Sequence, residues 1–251
     1  MNLILLHRDE LDGHRICFDD RRAQHLHRVL RVEPGASVRV GVIGGCAGIA
    51  RVVAISEAST PLKVELKLDE DFAIDELAPR PSIDLIVALP RPKALRRLLR
   101  AVSSFGVGRV HLVNAWRVDK SYWQSEKLAP DNLRQMLIEG CEQGRQTWLP
   151  VIETHRLLMP FLGGLGGEER RVICDPSAEV HLEDAIEDST RIVAALGPEG
   201  GWIDSEISAF SAADFRPARL LDAVLSSEVA AAALLGQLSL IRRLGGRRAL
   251  S

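Results

Sequence analysis

Ile83-Asp84-Leu85-Ile86-Val87-Ala88-Leu89 is a near-continuous apolar run, and its pairing with the helical pattern behind it decides the fold. Such a run reads as a strand buried on both faces of a parallel sheet. Next along the chain, Leu95, Leu98, Leu99 and Val102 recur at helical spacing between Ala94 and Ser104, and Gly106 ends the pattern. Val110 to Val113 then reads as a second strand. Strand, helix and strand in alternation predict an α/β fold with a parallel sheet.

Toward the C-terminus the alternation continues. Pro130 suits the first turn of a helix running to about Gln143, with Leu133, Met136, Leu137 and Cys141 inward. Arg171 to Cys174, Ile192 to Leu196 and Ala218 to Leu221 predict three more strands. A short helix, Asp204 to Ala212, separates the last two. A long final helix is expected from about Ser227 to Leu244, stopped by Gly245-Gly246.

Toward the N-terminus the texture changes. Asp75-Glu76-Leu77-Ala78-Pro79-Arg80-Pro81 reads as a linker, since each proline holds its predecessor extended. Before it, Val38-Arg39-Val40, Ala50 to Ile55 and Lys63 to Leu68 alternate with period two between glycines. That pattern predicts a small all-β unit. One helical piece interrupts it, Arg21 to Leu30, with Ala23, Leu26, Val29 and Leu30 on one face. The expected division is therefore residues 1–75 and 80–251.

Composition excludes several classes. The 251 residues are 46% apolar and 26% charged, the mix of an ordinary globular protein and not of a disordered or collagenous one. No apolar run approaches the ~18 residues of a membrane span, and Leu3 to Leu6 is too short for a signal-peptide core, so a cytosolic protein is expected. Cys17, Cys46, Cys141 and Cys174 are scattered, with no C-x-x-C pair. His25, His27, His111, His155 and His181 show no metal-ligand spacing, so no metal is expected.

Ligands in open parallel sheets bind beyond the C-terminal strand ends. There stands Leu196-Gly197-Pro198-Glu199-Gly200-Gly201-Trp202, a strand running into glycines that let a backbone approach a ligand closely. A second candidate is Leu220-Leu221-Asp222-Ala223-Val224-Leu225-Ser226-Ser227-Glu228, where a serine caps the last helix and Glu228 favours its first turn. The first reads equally as a tight strand–helix turn, and the second reads more readily as an ordinary cap unless the glycine loop faces it. The third is Glu139 to Arg145, polar groups at a helix end that either reach another loop or remain solvated. The patch Gly163 to Gly167 precedes a strand and reads as a plain loop.

The net charge of −2 speaks against a nucleic-acid partner, but its distribution does not. Arg91, Lys93, Arg96, Arg97 and Arg100 have no acid among them. Neither do Arg21, Arg22, Arg28 and Arg31, nor Arg242, Arg243, Arg247 and Arg248. Asp175, Glu179, Glu183, Asp184, Glu187 and Asp188 offset them in the sum. Segregated basic clusters predict a phosphate-contacting surface.

Several of these segments resemble one family. His25 with Val29-Leu30-Arg31 and Gly35 is similar to the N-terminal signature of the RsmE family of 16S ribosomal RNA uridine-N3 methyltransferases, of the SPOUT superfamily. Ala88-Leu89-Pro90 with Phe105-Gly106-Val107, Glu142-Gln143-Gly144-Arg145 with Pro150, and Glu228 with Ala230 resemble further family segments. Gly197-Pro198-Glu199-Gly200-Gly201 is the most specific match. The chain departs from the family at Leu221, Ala223 and Ser226, which stand where it has a glycine and two arginines, and at Ala101 to Ser104.

The resemblance implies an N-terminal PUA-like β-barrel that binds RNA and a C-terminal SPOUT domain with a trefoil knot, acting as a homodimer. It implies S-adenosylmethionine held by Leu196, Gly197, Pro198, Gly200, Gly201, Leu220, Leu221, Ala223 and Leu225. Glu228, Arg145 and Glu199 are the expected catalytic residues, with Arg219 a candidate substitute for the missing arginines. Arg28, Arg31, Arg91, Lys93, Arg96 and Arg97 are expected to grip 16S rRNA or the small ribosomal subunit. The rival reading is an RNA-binding paralogue with altered substrate or lost turnover.

Overall fold

The computed structural model describes residues 2–56, 61–167, 169–186 and 191–248. Glu187 and Asp188 of the acidic stretch, and the side chains of Arg247 and Arg248, lie outside the described residues. The chain divides into two units, one of residues 1–80 with 141–149, the other of 81–140 with 150–251.

The first unit holds β1 (Ile4–Leu6), β2 (Arg15–Phe18), helix α1 (Arg21–Gln24), β3 (Ser37–Val42), β4 (Ala47–Ser56) and β5 (Lys63–Leu68). They form a five-stranded sheet in the order β1-β3-β4-β5-β2, in which β1 runs parallel to β3 and the other pairs are antiparallel. Period-two burial places Val40, Val52, Val64, Leu66 and Leu68 in one core with Leu6, Ile16 and Leu26. The register slips between Val52 and Ala54, and Val53 turns out to solvent.

The helical stretch after Arg21 differs from expectation. α1 passes into a π turn over His25–Val29, closed by a Leu30 N–H to His25 carbonyl bond of 3.0 Å. The wider turn carries Val29 and Leu30 off the apolar face, leaving them 64% and 48% exposed, while Ala23 and Leu26 stay buried. Residues 141–149 are woven into this unit: Asn2 N–H donates to the Glu142 carbonyl at 3.1 Å and Gly44 N–H to that of Thr147 at 2.9 Å.

The second unit starts with β6 (Ile83–Ala88), α2 (Pro92–Ser104), β7 (Arg109–Val113), α3 (Pro130–Gly144) and β8 (Val151–His155). Then come α4 (Leu158–Gly163), β9 (Arg170–Cys174), α5 (Leu182–Ala185), β10 (Ile192–Leu196), α6 (Asp204–Ala212), β11 (Arg216–Ala218) and α7 (Ser227–Arg248). The sheet is parallel throughout, in the order β11-β9-β10-β6-β7-β8. All six residues of β6 are buried, as its apolar run requires.

The elements of this unit depart from the sequence expectation at several points. β8, α4 and α5 occupy stretches for which no element was expected. β11 begins at Arg216 and ends at Ala218, so Leu220 and Leu221 belong to a loop; Pro217 is tolerated because β11 is an edge strand. α7 runs through Gly245-Gly246 to Arg248, since a glycine weakens a helix by only about 1 kcal/mol and need not end it.

One glycine is required by packing. A Cβ on Gly140 of α3 would lie 2.3 Å from the Arg100 carbonyl and 2.1 Å from Ser103 Oγ, so α3 approaches α2 at backbone distance there. Gly106, at φ +76°, turns the chain out of α2.

Candidate functional site

The strand order fixes where a site can form. The chain fills β6, β7 and β8 outward, crosses back to β9 on the other side, and inserts β10 between β9 and β6. Such a reversal opens a crevice at the C-terminal strand ends. There the segments after β9, β10 and β11 line a pocket that opens to solvent.

Of the expected cofactor residues, Leu196, Gly197, Pro198, Gly201, Leu220, Leu221, Ala223 and Leu225 line this pocket together with Glu199. Gly200 does not; its carbonyl accepts from Arg117 Nη1. Cys174, Asp175 and Pro176 add the third wall. Burial pushes the Cys174 thiol up to about 12, so it stays protonated and is no nucleophile at neutral pH.

The glycine loop is held from behind. Gly201, at φ +76°, donates to the Pro198 carbonyl at 2.8 Å and closes the turn. Trp202, 8% exposed, packs on Phe210 with ring centroids 4.9 Å apart, and Phe210 meets Phe215 at 5.0 Å. A Cβ on Gly197 would come within 3.0 Å of the indole Nε1, which leaves no slack at that position. Glu206, buried in α6, accepts from the N–H of Ile203 at 3.0 Å and of Trp116 at 2.7 Å. One carboxylate thus pins the loop after β7 to the helix that comes after the glycine loop. Neither Glu206 nor Arg117 was singled out in the sequence; with isoleucine at the cap position 203, no capping-box signature marks Glu206.

The catalytic candidates fall in different places. Glu199 lines the pocket and takes an ion pair from Arg91, Nε to Oε1 at 2.9 Å. Glu228 sits in the first turn of α7, beside the pocket residue Ser227 but not among the lining residues. Its own backbone amide, and then Arg97, hold its carboxyl below the ordinary range. Arg145 belongs to the first unit, just past α3, with φ +58°. Glu142 is 2% exposed and receives Arg21 Nη1 at 2.7 Å and Nη2 at 3.0 Å, so this segment binds another element and does not end in solvent. Burial nevertheless pushes the Glu142 carboxyl upward. Arg219 faces His181 at 3.0 Å and Asp222 at 3.5 Å and is not among the pocket residues.

Basic clusters that are acid-free in sequence acquire acids in space. Arg96 and Arg100 both reach Glu139, at 2.9 and 3.5 Å, while Arg91 meets Glu199 and Arg97 meets Glu228. Linear spacing hides these pairs because the acids come from α3, the glycine loop and α7. The arginine side chains stay about half exposed, so their outer faces remain open. Arg22 is different: it is 6% exposed and bonded to Glu10, Asp20 and the Leu5 carbonyl, a buried hub of the first unit. Of that cluster, Arg28 and Arg31 are exposed and line a surface hollow with His27 and Glu33.

Known proteins share the sequence pattern and the fold. The model of the RNA methyltransferase domain family matches residues 78–239. Ribosomal RNA small subunit methyltransferase E of Treponema pallidum is 31% identical over 241 residues, covering 93% of this chain and 88% of that protein. Ribosomal RNA small subunit methyltransferase E 1 of Borreliella burgdorferi is 25% identical over 232 residues, 92% of this chain and 94% of its own. In the solved structures, ribosomal RNA small subunit methyltransferase E of Neisseria gonorrhoeae bound to S-adenosyl methionine superposes with a TM-score of 0.78 at 24% identity. It spans 96% of this chain and 98% of its own, so the fold is shared.

Proposed function

The chain belongs to the ribosomal RNA small subunit methyltransferase E family, and on that premise we propose that it methylates N3 of a uridine in 16S rRNA with S-adenosylmethionine. The observation that carries the reading is the glycine-lined pocket at the sheet's C-terminal end. Its lining fits the cofactor: Asp175 and Glu199 supply negative charge that complements a sulfonium. The indole N–H of Trp202, buried without a hydrogen-bond partner among the described residues, is an unmet donor directly behind Gly197. When bound, S-adenosylmethionine supplies a methyl group activated by its sulfonium.

The residues of this chain then have three tasks. Backbone groups of Gly197 to Gly201 and Leu220 to Leu225 hold the cofactor in one pose, so that the reacting atoms meet in line. Glu199, ion-paired with Arg91, takes the uridine N3 proton. Glu228, fixed by Arg97, and Arg145 position the substrate. Arg28, Arg31, Lys93 and the open faces of Arg91, Arg96 and Arg97 contact phosphates, which orient RNA without reading its sequence.

The same reading makes residues 1–75 a PUA-like RNA-binding barrel. Residues 80–251 are then a SPOUT domain, knotted and paired in a cytoplasmic homodimer. No helix among the described residues is long and apolar enough to cross a membrane.

Calorimetry with S-adenosylmethionine, and then labelled methyl incorporation into ribosomal RNA, tests the proposal. Binding with incorporation supports it, and no cofactor binding overturns it. Binding of cofactor and RNA without incorporation would instead identify a paralogue without turnover, the reading that the pocket's lack of arginine favours.

A further inference from the structure

Strands β7 and β8 run parallel with His111 opposite Glu153 and Val113 opposite His155. Alternate residues of a strand share a face, so Glu153 and His155 stand on the same side of β8. There His111 Nδ1 lies 3.0 Å from His155 Nε2 and 3.3 Å from Glu153 Oε2, and His155 Nε2 lies 3.6 Å from the same oxygen. Among the described residues, these are the one group of His, Cys, Asp and Glu whose ligand atoms converge.

A proton on His111 Nδ1 can be shared between His155 Nε2 and Glu153 Oε2, but the 3.6 Å edge between those two atoms then brings lone pairs of nitrogen and oxygen together. A cation at the centre satisfies all three. Zinc bonds of ~2.0–2.1 Å in tetrahedral array set ligand atoms about 3.4 Å apart, which matches edges of 3.0, 3.3 and 3.6 Å. We propose that His111, His155 and Glu153 form a binding site for a divalent transition metal of the zinc class, with a fourth position open to water.

The surroundings favour the site. Phe161 of α4 stacks on the His155 ring at 4.1 Å and meets that of His111 at 4.9 Å, fixing both planes. Arg109 Nη1 approaches the other carboxylate oxygen, Glu153 Oε1, at 3.8 Å and leaves Oε2 for the imidazoles. Outer groups of this kind orient metal ligands. His111 is buried, whereas the side chains of Glu153 and His155 are 39% and 25% exposed, so the site has a path to solvent.

The test uses the full chain, stripped with chelator and titrated calorimetrically with zinc chloride. His155→Ala and Glu153→Gln change the more exposed ligands and keep the fold, as circular dichroism will verify. The expected result is one zinc per chain, with affinity weakened by more than about tenfold in each variant. Absence of stoichiometric binding, or binding that either variant leaves unchanged, overturns the proposal.

Discussion

Arg97 of α2 clasps Glu228, in the first turn of α7, with Nε and Nη2 both donating to Oε1, at 3.0 and 2.6 Å. The pair ties two helices at the edge of the pocket that Ser227 and Ala230 line. Half of it is exposed, since the Arg97 side chain is 53% accessible, so it contributes at most about 1 kcal/mol to stability. Its value is positional.

Glu228→Gln should therefore leave the urea midpoint nearly unchanged and lower the methyl-transfer rate by about tenfold or more, at little change in cofactor affinity. Arg97→Lys, which gives up the two-donor grip, should lower the rate in the same direction. Parallel denaturation and single-turnover assays check both.

Gly201→Ala tests the loop. At φ +76° an L side chain adds roughly 1–2 kcal/mol of strain. The turn with Pro198 should open, and S-adenosylmethionine affinity should fall about tenfold in calorimetry, with the thermal midpoint of the protein only slightly lowered.

Gly140→Ala probes the packing of α3 on α2. The added Cβ would meet the Arg100 carbonyl at 2.3 Å, a backbone atom that cannot rotate away. Overpacking of this kind destabilises by about 1–3 kcal/mol. Chemical denaturation should show that loss.

The metal-free protein should lose stability as the pH is lowered. Burial lowers the folded-state pKa of His111 to about 4 and lowers those of His155 and His25. Below the unfolded value near 6.5, the unfolded chain takes up protons that the folded chain refuses, which draws the equilibrium toward unfolding. For His111 the loss accumulates from about pH 6.5 down to about pH 4 and is complete below it. Glu142 works the other way, because its raised carboxyl pKa makes protonation favour the folded state. Three imidazoles against one carboxyl give a net fall between pH 7 and pH 5, and His111→Asn should make the fall shallower. Urea midpoints at the two pH values decide it.

The α/β architecture was legible because burial writes itself into β6, α2 and α3 as apolar runs and helical periodicity. β8 was not, because Val151 to His155 stands at the sheet edge with no apolar run and little alternation in burial. The pocket loops were legible at Gly197 to Gly201, where backbone geometry needs glycine, and less so at Leu220 and Leu221, which read as strand. Charge was the poorest guide. Arg91, Arg96, Arg97 and Arg100 looked unopposed because their acids lie far along the chain. For the same reason no ligand spacing revealed His111 with Glu153 and His155, which meet only through strand pairing.

Methyl transfer to uridine N3 is read out by nucleoside mass spectrometry of 16S rRNA. The rRNA comes from a strain lacking this protein and is incubated with the purified full chain and isotopically labelled S-adenosylmethionine. One labelled methyl per molecule is expected, recovered as N3-methyluridine and diminished with Gly201→Ala. A labelled methyl on another nucleoside or on ribose, or none despite cofactor binding, would contradict it.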